Sequence, residues 1–115
     1  MKKEVIYFSG FSLGICDTCQ LLDSNNLKVS SLKKGTEIKK VEDYKILSFW
    51  DKVDELNVWN WKKSYDSDDI CDGYMWEVKL RNRQGKAKYS SGHERFPRAF
   101  NKFVKEINLL FSTKL

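Results

Sequence analysis

Cys16 and Cys19 stand at C-x-x-C spacing, and they are the first residues in the chain whose types and spacing could do chemistry. Two thiolates at that spacing can clasp zinc, and Cys71 with His93 would complete a Cys₃His set. Cys71 and His93 are isolated from one another, however, whereas a closed zinc site usually brings a second compact ligand pair. On a regular strand Cys16 and Cys19 would point to opposite faces. A redox role needs the pair at a helix N-terminus within a βαβ unit, and that pattern is missing. The expectation is reduced thiols, with no metal and no cofactor.

His93 is the only histidine. Acid–base chemistry could pair it with Glu94, Asp72 or the Cys71 thiol, but nothing in the spacing fixes their distances. Asp66, Asp68, Asp69 and Asp72 echo a calcium loop only faintly. The glycine falls at the wrong interval and no matched glutamate follows, so a polar loop is expected. Asp72-Gly73 reads as turn chemistry. With no phosphate-cradling glycine loop, no triad and no framed carboxylate pair, the expectation is a protein that is not an enzyme.

Residues suited to binding are better represented. Trp59, Trp61, Tyr65 and Trp76 could stack bases or line a peptide groove, or else form an aromatic core. Lys79, Arg81, Arg83, Lys86 and Lys88 should share the outer face or tip of one hairpin. Arg95, Arg98, Lys102 and Lys105 carry the charge onto the last helix. Between Lys79 and Lys105 the only acid is Glu94. Such one-sided clustering suits phosphates or an acidic partner. Lysines on a sheet face can also serve simply to prevent edge aggregation.

The elements that must position these side chains follow from periodicity. Val5 to Phe8 reads as a strand, broken by Ser9 and Gly10. Gly10 and Gly14 flank a bend or hairpin turn. Ile15 to Leu22 reads as a second strand, ended by turn residues 23–26. A short third strand covers Leu27 and Val29 and can reach Leu32. After Lys33-Lys34-Gly35 a fourth covers Thr36 to Val41. Ile46, Phe49, Trp50, Val53 and Leu56 then recur at helical spacing, predicting a helix over about 43–56 with Asp43 as cap and Asn57 as stop. If 58–61 is extended, the Trp59 and Trp61 rings share a side.

Met75 to Leu80 reads as a strand with Trp76, Val78 and Leu80 inward. Asn82-Arg83-Gln84-Gly85 is the hairpin turn. The return, 86–90, should place Ala87 and Tyr89 inward and Lys86 and Lys88 outward. Pro97 marks the first turn of a closing helix whose inner face is Phe100, Phe103, Val104, Ile107, Leu110 and Phe111. The fold expected is α+β: an antiparallel sheet, made of an N-terminal meander plus a C-terminal hairpin, packed by two amphipathic helices.

Composition agrees. The chain has 115 residues, enough for one domain over 1–115 with its own core. It is 41% hydrophobic and 14% aromatic, with one proline, which argues against disorder. The apolar run near the start is only Val5 to Phe8, too short for a signal peptide, and no stretch is long enough to span a membrane. A cytoplasmic protein is expected. The net charge of +5 permits nucleic-acid or acidic-protein contact.

The runs S-F-W-D-K-V-D-E-L-N-V-W-N-W-K-K-S-Y, D-G-Y-M-W-E-V-K-L and G-H-E-R-F-P-R-A-F-N-K-F-V together resemble a family of small bacterial proteins. Its pattern is W-x-W-K-x-x-Y, then D-G-x-x-W, then G-x-x-x-[FY]-P and a closing helix, and the likeness covers about residues 48–111. The resemblance implies a fold and no activity. His93-Glu94-Arg95 stands where a serine-asparagine type of stretch is expected.

The leading expectation is a non-catalytic binding protein whose basic hairpin face engages nucleic acid or a nucleic-acid-loaded enzyme. Its size and charge would suit a phage or mobile-element inhibitor of a defence nuclease, anti-CRISPR-like in style. The alternative is an immunity or antitoxin-like protein that meets a toxin through the Trp59–Tyr65 region.

Overall fold

A computed structural model describes residues 3–12, 15–65 and 74–113, with Ile15 in its backbone only. Asp66, Asp68, Asp69, Cys71 and Asp72 lie outside the described residues. Among the described residues seven strands form one sheet: β1 (Val5–Ser12), β2 (Ile15–Leu21), β3 (Asn26–Ser31), β4 (Gly35–Lys40), β5 (Ser64–Tyr65), β6 (Met75–Arg81) and β7 (Ala87–His93). Their order is β4-β3-β2-β1-β6-β7-β5, antiparallel throughout except for the parallel β5–β7 pair. Two helices, α1 (Asp43–Glu55) and α2 (Phe100–Phe111), pack on one face. The fold is α+β, as expected. None of the described helices is long and apolar enough to cross a membrane.

Alternation sorts every strand into two faces. Ile6 and Phe8 of β1, Cys19 and Leu21 of β2, Leu27 of β3, and Trp76, Val78 and Leu80 of β6 are buried under the helices. The helices meet them with Ile46, Phe49, Trp50 and Val53 from α1 and Phe100, Phe103, Ile107, Leu110 and Phe111 from α2. Phe103 sits near the centre, with ring centroids 5.3 Å from Trp61, 6.0 Å from Phe49 and 6.4 Å from Phe8.

Four local expectations need correction. Ser9 and Gly10 do not break β1, which runs on to Ser12. Gly10 faces the core, where the Tyr74 ring occupies the space a Cβ would take. Glu42, not Asp43, is the N-cap of α1, and no side chain caps it. Asp43 is the first helical residue, where a carboxylate still meets the positive end of the helix dipole. Pro97 lies outside α2: its carbonyl accepts from the Phe100 amide, and Ala99, at φ 68°, is the N-cap. Asn57 does stop α1, in the left-handed conformation asparagine tolerates.

The fourth correction has the widest reach. Ala87 and Tyr89 face outward, and Lys88 faces inward, opposite Leu80. The turn is responsible. Gly85 donates to the Asn82 carbonyl and sits at φ 88°, so it adds a left-handed residue to the four-residue turn. One added residue shifts register by one, and every side chain of the return strand changes face.

Gly92 is also constrained. A Cβ there would strike the Trp76 indole nitrogen and come within 2.6 Å of the Arg95 carbonyl oxygen. Trp76 cannot give way, because its Nε1 donates to that carbonyl at 2.9 Å and its ring packs 4.8 Å from Phe100. Gly92→Ala is therefore expected to lower stability by about 2 kcal/mol through overpacking, read from the urea midpoint; an unchanged midpoint would refute the close packing.

Candidate nucleic-acid interface

The basic residues singled out in the sequence do not share one surface. Arg83, at the hairpin tip, turns to the helix layer. Its Nε lies 3.1 Å from Glu4 Oε2, and its terminal nitrogens hold Asp43 at 3.1 and 2.5 Å. Glu4 Oε2 also accepts from Trp50 Nε1 at 2.6 Å. One carboxylate thus joins the hairpin to α1. The guanidinium holds the Asp43 carboxyl below the usual range, chiefly through its hydrogen bonds, and Asp43 with Glu4 raises the Arg83 pKa in turn.

Lys86 lies over Trp59, with Nζ 5.1 Å from the ring centre. Lys88 reaches under the sheet and donates to the Trp61 carbonyl at 2.8 Å. Ser90 donates to the Lys62 carbonyl at 2.6 Å, and the Ser91 amide to that of Lys63. These bonds satisfy the chain that covers the inner side of β7. Arg95, Arg98 and Lys102 lie outside the hairpin, in the turn before α2 and on α2 itself. Arg98 and Lys102 border a cleft with Asn57, Asn60, Trp61 and Tyr65.

The tryptophans part company too. Residues Val58–Asn60 form a 3₁₀ turn, so the segment is not extended and the rings diverge. Trp61 is buried against Trp76 and Phe103. Trp59 stacks on Trp50 at 6.1 Å, and its Nε1 donates to Asp54 at 2.6 Å. Both serve the fold.

Lys79 and Arg81 do face outward, onto a surface that no described element covers. Strand pairing places Tyr7, Lys79 and Tyr89 side by side on β1, β6 and β7, continued by Gln20, Lys28 and Ile38. Lys79 Nζ lies 5.2 Å from the Tyr7 ring and 6.0 Å from the Tyr89 ring, within cation–π reach of both. The next row is Thr36, Ser30, Thr18, Ser9, Glu77 and Ser91, a band of hydroxyls with one acid. Beyond it come Cys16, Phe11, Met75 and His93.

Among the described residues Glu77 is the only carboxylate on this face. The cations are Lys28, Lys40, Lys79 and Arg81. Glu77 accepts from the Tyr89 hydroxyl at 2.9 Å, which raises the Tyr89 pKa, and it lies 3.6 Å from Lys79 Nζ. Arg81 forms no ion pair among the described residues, and its buried Nε has no hydrogen-bond partner there. Tyr7, Phe11 and Tyr89 escaped sequence reasoning. In V-I-Y-F-S-G-F either alternate set could face the core, and the face of Tyr89 depends on the register of the Asn82–Gly85 turn.

Cys16 and Cys19 lie on opposite faces of β2, so they cannot close on one ion. Cys16 is exposed, whereas Cys19 is fully buried and its thiol pKa is pushed up to about 12 by burial, with Asp17 adding to the effect. His93 lies on the open face opposite Met75. Glu94 turns back instead, its carboxylate accepting from the Tyr74 amide, so the two neighbours do not act as a pair.

Comparison with family models, with curated proteins and with solved structures returns no match.

Two outcomes follow from the thiols and the tip. In the native protein a thiol reagent should label Cys16 and spare Cys19 until the fold is opened, as mapped by peptide mass spectrometry. Labelling of both at equal rates would contradict the burial. Asp43 has a lowered folded pKa, so its ion pair stabilises the fold above the unfolded value of about 3.9 and loses that effect as pH falls through the lower folded value. The stability gap between the parent and Arg83→Ala should therefore narrow on acidification below about pH 4. A gap that is constant with pH would mean the pair contributes nothing.

Proposed function

We propose that this chain is a non-catalytic binding protein whose open sheet face engages nucleic acid, either free or held by a nucleoprotein enzyme. One observation carries the reading. A sheet face with no described cover presents Lys28, Lys40, Lys79 and Arg81 against the single carboxylate of Glu77, with tyrosines flanking the central lysine. Four cations in one plane make a field that attracts phosphates, and releasing the counterions around those phosphates supplies the affinity. Unpaired Arg81 adds a planar donor suited to a phosphate fork.

The basic set that supports this reading is narrower than the sequence implied. Lys79 and Arg81 belong to it. Arg83, Lys86 and Lys88 are engaged within the fold, and Arg95, Arg98 and Lys102 lie elsewhere. A toxin-binding role through Trp59–Tyr65 has less to draw on, since Trp61 is buried and Trp59 is stacked and hydrogen-bonded.

The test is Lys79→Glu combined with Arg81→Glu, measured by fluorescence anisotropy against labelled oligonucleotides at several salt concentrations. Affinity should fall more than tenfold, and the slope of log K against log salt should flatten. Arg83→Ala, away from the face, should leave affinity within about twofold. Unchanged binding by the double variant would sink the reading.

A further inference from the structure

The open face holds a hollow of about 400 Å³. Phe11, Met75 and His93 bound it at one end, Tyr89 stands at the side, and Ser9, Glu77 and Ser91 line the band between. Its size falls within the range of small-ligand sites. We infer that this hollow receives an unpaired base of a single-stranded nucleic acid, with Phe11 and Tyr89 as stacking surfaces and Glu77 as acceptor for a base amino group. The inference rests on the nucleic-acid reading of the same face and narrows it to single strands.

Three features argue for a base here. The first is the apolar wall. Phe11, 51% exposed, and Met75, 49% exposed, pair across β1 and β6 at one end; Tyr89, 39% exposed, stands two rows away on β7 and leans toward Glu77 through its hydroxyl. A duplex offers a protein its phosphates and groove edges, whereas a single strand also offers the flat faces of its bases, which stack on aromatic rings.

The second is Glu77. A carboxylate is misplaced on a face that gathers phosphates, because it repels them. It is well placed as an acceptor for the amino group of a base, as glutamate is for cytosine N4. The third is rigidity. The Tyr89 hydroxyl is held by Glu77 at 2.9 Å, so the ring is already fixed and little freedom is lost on stacking. Lys79 and Arg81 continue along β6 beyond Glu77. The backbone phosphates would run over those cations while a base turns into the hollow.

The experiment compares a labelled ten-nucleotide single strand, as RNA and as DNA, with its duplex and with heparin. Variants are Phe11→Ala, Tyr89→Ala and Glu77→Gln, each checked for parental far-UV dichroism and melting. The alanine changes remove exposed rings, so the fold is expected to survive them. Single-strand affinity, for RNA or DNA, should exceed duplex affinity by tenfold or more. Each alanine variant should lose about tenfold on the single strand and little on heparin. Glu77→Gln should change the ranking among adenine-, cytosine- and thymine- or uracil-rich strands. If the alanine variants keep full single-strand affinity, or if duplex and single strand bind alike, base stacking is overturned while the electrostatic reading stands. If neither strand nor duplex binds, both fall, and a protein partner becomes the occupant to seek.

Discussion

A strand has two sides, and one residue added at its turn exchanges them. The Asn82–Gly85 turn therefore governs much of what this molecule presents to its surroundings. Gly85, at φ 88°, lengthens the connection by one residue, and the β6–β7 register pairs Arg81 with Ala87. Lys88 is thereby drawn under the sheet and Tyr89 placed outside. With a shorter turn, Tyr89 would stand in the core and Lys88 beside Lys79. The Asn82 side chain reinforces the bulge by accepting from the amides of Gln84 and Lys86. The place of Tyr89 in the proposed interface rests on that local geometry.

The two layers serve different ends. An antiparallel sheet can keep one face in water, and no described element covers the outer face of this one. Its other face is closed by aromatic packing and by polar bonds where helices do not reach. Over β7 it is the 61–63 segment that lies on the sheet, held by Lys88, Ser90 and the Ser91 amide. This explains how a lysine and a serine can stand among inward-facing positions. Each satisfies a carbonyl that would otherwise be stranded. Nearer the hairpin tip, Lys86 covers the Trp59–Trp50 stack and Glu4 ties Trp50 and Arg83 together. The cations that serve the fold are thus distinguishable by their partners from those that face outward.

Much of the architecture could be read from the residues alone. The helical spacing of Ile46, Phe49, Trp50 and Val53, and of Phe100, Phe103, Ile107 and Leu110, is a strong local signal, and both helices lie close to where it put them. Six strands were equally legible from β-branched and aromatic runs, but the two-residue β5, Ser64–Tyr65, left no such run and owes its place to parallel pairing with β7. What could not be read was set by residues distant in sequence. Gly10 looks like a break until Tyr74 is seen lying on it. The Trp59–Trp61 pair looks extended until Val58–Asn60 closes as a 3₁₀ turn. The open face was the hardest part. An exposed tyrosine and a buried one are the same letter, and only the pairing of β1 with β6 brings Tyr7 beside Lys79.

That pairing has a consequence for how the chain finds its structure. Strands β1 to β4 are consecutive hairpins, and each closes a short loop. The β1–β6 junction instead brings Phe8 to Val78 across about seventy residues of chain. Closing so long a loop costs conformational entropy before any contact repays it, and non-local pairings of this kind slow folding. The N-terminal meander and the β6–β7 hairpin are each joined by short turns, so each can form from local encounters, whereas the seam between them closes a long loop. The two halves of the open face meet along that seam.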